Sequence, residues 1–313
     1  MQERRLWFDR RPGLVTLLAA GAYKGIQDAR SANARACPGL FMGTPRQVAS
    51  ITERGWLVRL DLDLTLAAGY RSPSQRARRI TEGWFAAAMY CPACPSPRLE
   101  RSRGSTPVVD FLCADCGAEY QLKAKAGALG ARLRDAAYQP MIERARANRS
   151  PHFAFLGYDS DRYQVRNLIL VPGHFITPDV IERCKPLART ARRAGWTGCM
   201  VLAARIPLDG RLAAILNGRE LPADEVRQGW RRFADLRQAK AAERGWVVDV
   251  LRRVRGQGTR EFTLREFYAL HAKELAALHP ENRNVEPKIR QQLQVLRDRG
   301  VLRFLGRGRY VAQ

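Results

Sequence analysis

Residues 107–123 read PVVDFLCADCGAEYQLK, and the two β-strands expected in this stretch decide the fold. The first strand spans 108–112 and the second spans 119–123, where polar and apolar residues alternate. Side chains at positions i and i+2 of a strand share one face, so Tyr120 and Leu122 should point into the core. On the opposite face, three polar side chains from the two strands are expected to converge: Asp110, Gln121 and Lys123.

Two Cys-x-x-Cys pairs flank the first strand, with 18 residues between them. The four cysteines are Cys91, Cys94, Cys113 and Cys116. This spacing is typical of Zn²⁺ sites with four thiolate ligands, which leave no open position for a substrate, so the zinc would be structural. The alternative is a redox-active or coincidental pair. The lone Cys184 and Cys199 are expected to pack as small apolar side chains.

The charge of the chain indicates a polyanionic partner. The sequence has 54 Lys and Arg against 30 Asp and Glu, a formal net charge of +24. Contacts between such cations and phosphates release counterions, which favours nucleic acid; a membrane surface or a merely solvated surface is the less favoured reading. The sparse cysteines indicate a reducing compartment, so a cytoplasmic location is expected. No segment approaches the roughly 20 apolar residues of a membrane span.

Hydrophobic periodicity predicts an α/β core after a poorly defined leader over residues 1–57. A helix is expected over 74–90, and strands over 153–157 and 167–171. Residues 133–147 have helical spacing, with Pro140 expected to bend that helix. A further helix over 223–243 would link this part of the chain to the next.

From Arg244 the pattern changes to three helices and a short basic hairpin, which is typical of a winged helix-turn-helix domain. Thr263 and Glu266 form an expected capping box, which starts a helix running to about Leu270. Residues 246–313 contain 14 Lys and Arg against 7 Asp and Glu. We therefore divide the chain into the leader, a catalytic domain over 58–243 and a winged-helix DNA-binding domain over 244–313.

An Asp followed after a short gap by (D/E/Q)-x-K is the pattern of the PD-(D/E)xK nucleases. A carboxylate at Asp110 would hold Mg²⁺, and Lys123 would stabilise charge that develops on phosphorus. Gln121 can ligate a cation through its amide oxygen but without charge, so weaker metal binding is expected. Glu119 and Glu82 are possible accessory ligands. Alone the pattern is weak, because an Asp and a Lys on strands are usually solvated surface residues.

Longer stretches resemble the DpnI-type methyl-directed restriction endonucleases over about 57–313. The matching stretches are 74–78, Thr81-Glu82-x-Trp84, Tyr90-Cys91-Pro92-x-Cys94, Pro107-Val108-x-Asp110-Phe111, Leu122-Lys123, 185–188, 190–196, 288–294 and 306–308. The resemblance implies a zinc-containing PD-(D/E)xK domain and a winged helix that both read methylated DNA. It also implies Mg²⁺-dependent double-strand cleavage at GATC containing N6-methyladenine. Asp110 and Lys123 fall on the family's catalytic positions, whereas Gln121 stands where the family has Glu.

Recognition of N6-methyladenine needs an apolar surface in the major groove with donors and acceptors beside it. Arg192, Arg193 and Trp196 supply both types, although Trp196 could be an ordinary core residue. On the third helix of the winged-helix domain, Arg290, Gln294 and Arg297 share one face and could contact DNA or simply be solvated. Arg307 and Arg309 in the wing are expected to touch phosphate, which gives affinity without sequence information.

Three functional hypotheses follow from this sequence. The first is a Mg²⁺-dependent restriction endonuclease for double-stranded DNA with methylated adenine. The second is a methyl-DNA-binding protein whose nuclease site has decayed at Gln121. The third is a zinc-ribbon transcription regulator with a winged helix.

Overall fold

A seven-stranded mixed sheet lies at the centre of the N-terminal part of the protein. The computed structural model describes residues 59–102 and 108–313, so the expected leader lies outside the described residues. The strands within these ranges are β1 (Glu100–Arg101), β2 (Phe111–Leu112), β3 (Glu119–Ala126), β4 (Leu133–Ala137), β5 (His152–Asp159), β6 (Gln164–Val171), β7 (Ile181–Arg183), β8 (Gly198–Val201), β9 (Leu212–Leu216), β10 (Arg219–Glu220), β11 (Glu261–Thr263), β12 (Leu302–Gly306) and β13 (Arg309–Ala312). The large sheet has the order β1-β2-β3-β5-β6-β9-β10, and β4-β8-β7 form a smaller antiparallel sheet.

Only β3 and β5 pair in parallel within the large sheet. Parallel neighbours need a crossover, and here β4 and a helix provide it. Seven of the eight residues of β5 are buried, as expected for a strand that is covered on both faces. The polar side chains of β3 therefore lie on a strand next to the most protected part of the sheet.

The α-helices of the described residues are α1 (Pro73–Ala88), α2 (Tyr138–Arg146), α3 (Ala223–Arg231), α4 (Ala241–Gly256), α5 (Leu264–Leu278) and α6 (Val285–Asp298). Two apolar clusters cover the large sheet. One joins Phe85 of α1 to Tyr120, Leu156 and the cysteine region. The other joins Phe153 and its neighbours to α2, the small sheet and the C-terminal helices. Along the described ranges, no helix has the length and apolarity to cross a membrane.

Two helices predicted from sequence are wrong in part. Residues 133–147 are not one helix but the strand β4 followed directly by α2. Pro140 lies in the first turn of α2, where its missing N–H costs nothing. Residues 223–243 divide into α3, a 3₁₀ turn at Ala234–Arg237 and the start of α4.

The C-terminal part has the expected helical fold with a hairpin wing. The capping box is confirmed, because Thr263 Oγ1 accepts from Glu266 N and Glu266 Oε2 accepts from Thr263 N. Helix α5 runs to Leu278, farther than expected, and β11 joins the β12–β13 hairpin as a third strand. The wing turns at Arg307, which has a φ of 48° between two glycines with positive φ.

The N-terminal and C-terminal parts share one core. Phe175 and Phe233 belong to the same buried cluster as Val250 of α4. Polar contacts cross the same boundary: Arg255 donates two hydrogen bonds of 2.6 Å to Asp209, and Arg299 donates bonds of 2.6 and 2.7 Å to Asp235. The two parts are thus held in one relative orientation.

Candidate active site and DNA-binding surfaces

Asp110 is bound to the main chain of β3 by two hydrogen bonds, one through its own N–H and one through its carboxylate. Its N–H donates to Tyr120 O at 2.9 Å, and its carboxylate Oδ2 accepts from Leu122 N at 2.9 Å. Antiparallel pairing of Phe111 with Tyr120 places Asp110 opposite Gln121. The strand pair thus brings these two side chains together, although β2 is only two residues long.

Gln121 is buried, with 3% of its surface exposed. Its amide oxygen Oε1 has no hydrogen-bond partner among the described residues. A buried acceptor without a donor costs roughly 1–3 kcal/mol. A cation next to Asp110 would remove that cost, because the amide oxygen is a suitable ligand for a hard cation.

The electrostatics at Asp110 also favour a cation. Burial raises the pKa of Asp110, and the carboxylate of Glu82 raises it further; the Leu122 N–H, Lys123 and Arg78 oppose these effects without cancelling them. A raised pKa means that the surroundings of Asp110 disfavour its ionised carboxylate. A bound divalent cation would reverse that preference.

Lys123 points from β3 towards the small sheet. Its Nζ lies 2.7 Å from Asp135 Oδ1 on β4, and the Asp135 side chain has no exposed surface. Sequence reasoning missed Asp135, because the apolar spacing of 133–147 indicated a helix. The Lys123 side chain retains 22% exposure, so one side of it is open to a substrate.

The two accessory carboxylates are both engaged by arginines. Glu82 on α1 lies 2.5 Å from Arg78 Nε and 3.6 Å from Arg101 Nη1, close enough to Asp110 to affect its pKa. Glu119 forms an ion pair of 2.8 Å with Arg144 on α2. Of the two, Glu82 is the one whose charge is felt at Asp110.

The four cysteines predicted to bind zinc come together between the end of α1 and β3. Their Sγ atoms all lie within 4.8 Å of one another. Cys91 and Cys116 are 3.7 Å apart, and Cys94 and Cys113 are 3.6 Å apart. Tetrahedral zinc with Zn–S bonds of about 2.3 Å requires sulfur separations of about 3.8 Å, so the cluster fits this ion.

Burial raises the pKa of Cys91 to about 11, although the Tyr120 hydroxyl 3.1 Å from its Sγ lowers it. Zinc would supply the positive charge that turns such a thiol into a thiolate. Because Tyr120 lies on β3 opposite Phe111, the cluster is tied directly to the strand pair that carries Asp110.

The predicted methyl-reading residues lie on the loop that connects β7 to β8. Arg192 and Arg193 are exposed, and Trp196 is half-buried. The Arg193 guanidinium lies 5.7 Å from the centroid of the Trp196 ring. The ring edge covers Gly198, where any Cβ would lie within 2.8 Å of the indole. Trp196 is thus a half-buried residue whose ring packs on Gly198, the first residue of β8, and it is not a core tryptophan.

The predicted contacts of the winged-helix part are all exposed. Arg290 and Gln294 line a depression of about 320 Å³ on α6 together with Tyr268. Arg297 lies on the same helix and forms an ion pair of 2.8 Å with Asp298. The wing carries the last two predicted contacts, Arg307 and Arg309.

Comparison with protein-family models identifies both parts of the chain. Residues 58–239 match the Dam-replacing family, DpnI, and residues 242–312 match the Dam-replacing HTH domain. The first match alone covers more than half of the chain. The chain belongs to the Dam-replacing family. This Dam-replacing protein therefore combines a restriction endonuclease domain with a DNA-binding helix-turn-helix domain, and its family implies methyl-dependent cleavage.

Loss of one zinc ligand should unfold the region that positions Asp110. We expect Cys94→Ser to lower the thermal midpoint by several degrees, and chelation of zinc to lower that of the unaltered protein similarly, because structural zinc contributes directly to folding. Cys184→Ser is the matched control, since Cys184 lies outside the cluster. Thermal unfolding with and without a chelator, with bound zinc measured by atomic emission, tests this. Equal midpoints for Cys94→Ser and Cys184→Ser would contradict it.

Proposed function

We propose that this Dam-replacing protein is a Mg²⁺-dependent endonuclease of the PD-(D/E)xK type that cuts both strands of DNA at GATC containing N6-methyladenine. The observation that supports the catalytic part is the register of the β2–β3 pair, which sets Asp110 opposite Gln121, with the charge of Lys123 acting on Asp110. The specificity for GATC and methylated adenine rests on the resemblance to the DpnI-type enzymes.

Asp110 and Gln121 are the residues that would hold the metal. Asp110 supplies a carboxylate whose charge is disfavoured by burial, and Gln121 supplies a buried amide oxygen without a partner. Both are oxygen ligands of the kind that Mg²⁺ prefers. A bound Mg²⁺ would polarise the scissile phosphate and activate a water molecule.

The chain's own residues perform the remaining tasks. Asp110 is fixed by the Leu122 N–H, so its carboxylate does not have to be ordered when substrate binds. Lys123 presents a positive charge beside it, which stabilises the additional negative charge that develops on the phosphate. A fixed cation in a largely buried site stabilises such charge more strongly than it would in water.

The loop between β7 and β8 is our candidate for contact with the methyl group. Trp196 offers an apolar ring with partial exposure, Arg193 lies over that ring, and the exposed Arg192 precedes Arg193 in the sequence. An N6-methyl group is an apolar addition to the major-groove edge of adenine, and an indole can cover it while arginines bind guanine or phosphate. The loop is held at its base by bonds between Leu187 N and Trp196 O (2.9 Å) and between Cys184 N and Gly198 O (3.0 Å).

A second candidate function is a reader that binds methylated DNA without cutting it. The observation that favours it is Gln121, a neutral residue at a position where a second carboxylate would strengthen metal binding. The two functions predict the same binding and differ only in cleavage.

Digestion of plasmids separates these functions. With Mg²⁺, we expect cleavage of adenine-methylated plasmid and none of unmethylated plasmid. Asp110→Ala should abolish cleavage and leave binding intact, because it removes a metal ligand and not a DNA contact. Asp161→Ala, in the exposed turn after β5, is the control and should cut normally. Equal cutting of both plasmids refutes the methyl dependence, and binding without cleavage even with Mn²⁺ favours the reader.

Replacement of Gln121 by the charged isostere tests its role as a ligand. Gln121→Glu should lower the Mg²⁺ concentration for half-maximal cleavage about tenfold, because ligand charge count changes the affinity of such sites by decades. The control is Gln228→Glu on α3, which adds the same charge at an exposed position. A metal titration of cleavage rates measures both variants. Unchanged Mg²⁺ dependence in Gln121→Glu would rule out Gln121 as a ligand.

The winged-helix contacts should divide into two classes. Arg290→Ala should cost about 1–3 kcal/mol of binding and relax the preference for the site, as expected for a base contact. Arg309→Ala should weaken binding to all sequences and reduce the salt dependence by about one phosphate contact. Arg219→Ala is the control, since Arg219 lies on β10, an edge strand of the large sheet outside the winged-helix part. Fluorescence anisotropy at several salt concentrations checks this; identical salt slopes for all three variants would exclude the division.

A further inference from the structure

The proposed catalytic residue Lys123 forms an ion pair with a buried carboxylate, that of Asp135. We propose that Asp135 is a positioning residue that holds the Lys123 ammonium towards the scissile phosphate. The inference rests on the proposed nuclease function and extends it to Asp135, a residue outside the PD-(D/E)xK motif.

The contact is an ion pair with unequal burial. Asp135 Oδ1 lies 2.7 Å from Lys123 Nζ, and the exposed fractions of the two side chains are 0% and 22%. The two atoms meet outside hydrogen-bond geometry, so the attraction is mainly electrostatic. Because Asp135 is fully covered, it has no access to substrate, while the exposed part of Lys123 does.

The surroundings of Asp135 leave Lys123 as its cationic partner. Its other carboxylate oxygen, Oδ2, lies 3.7 Å from the Cys199 Sγ on β8, a neutral thiol. Burial raises the pKa of Cys199 to about 12, and the negative charge of Asp135 contributes to that rise. A buried carboxylate is costly without a cation, so loss of either partner leaves the other unpaired.

The backbone of β4 is shaped to aim this side chain. Arg134 pairs with Met200 and Ala137 pairs with Gly198, so β4 has one more residue than β8 between these pairs. This extra residue forms a bulge at Asp135 and Ala136, and bulges redirect side chains at strand edges and functional sites. Helix α2 begins directly after β4 and fixes the other end of the strand.

The ion pair with Asp135 also determines the direction of the Lys123 side chain. Asp110, just before β2, attracts Lys123 from one side, and Asp135 attracts it from β4. With Asp135 present, the ammonium group is paired with the carboxylate on β4 while its charge still acts on Asp110. Without it, Lys123 would be drawn to Asp110 and would compete there with the metal.

Kinetics of Asp135→Asn test the positioning role. We expect the single-turnover cleavage rate to fall about 100-fold, the effect of a misplacement of about 1 Å, while the affinity for DNA is unchanged. Asp135→Glu keeps the charge and should recover part of the rate. The control is Asp249→Asn, another buried carboxylate, which pairs with Arg252 on α4 and should lower stability while leaving the rate of the folded protein unchanged. Wild-type rates in both Asp135 variants would overturn the proposal.

A stability cycle tests the pair without relying on cleavage. Urea unfolding of Asp135→Asn, Lys123→Met and the double variant should show the double variant to be less destabilised than the sum of the single changes. Additive losses would overturn the pairing.

If the unaltered protein cuts no DNA under any condition, the nuclease proposal fails by itself, and the cycle still decides whether Asp135 holds Lys123. If Asp135→Asn does not fold, Asp135→Ser takes its place, and a wild-type cleavage rate in that folded variant refutes the positioning role.

Discussion

The structure depends on the attachment of β2 to β3. A strand of two residues has too few bonds to remain paired by itself. Here the cysteine cluster closes the loop between the two strands, and the Tyr120 hydroxyl contacts the Cys91 sulfur. The cluster therefore keeps the two strands paired, as a larger number of hydrogen bonds does between longer strands. It fixes Asp110 opposite Gln121, the two residues that we propose as metal ligands.

Much of this arrangement could be predicted from the sequence because it depends on short-range patterns. The spacing of the cysteines predicted their cluster, and alternation over 119–123 predicted β3. The capping box at Thr263 predicted the start of α5. Each of these signals is local, so no knowledge of the rest of the fold was needed to interpret it.

The errors arose where tertiary contacts decide the structure. Leu133, Ala137, Met141 and Ala145 have helical spacing, but pairing with β8 turns the first two into strand residues. Asp135 was overlooked for that reason, since its partner Lys123 is distant along the chain and a helix would have aimed it elsewhere. The burial of Gln121 was also hidden, because β3 has polar residues on a face that the small sheet and α2 help to cover.

The shared core and the paired arginines between the N-terminal and C-terminal parts have a mechanical consequence. Arg255 with Asp209 and Arg299 with Asp235 join the helix-turn-helix to the N-terminal part at two points. DNA is itself stiff over about 150 base pairs. When a rigid protein meets a stiff duplex, any mismatch in shape is relieved by bending or twisting the duplex. In a complex of this kind, the energy needed to bend or twist the DNA would differ between sequences and would enter the binding free energy.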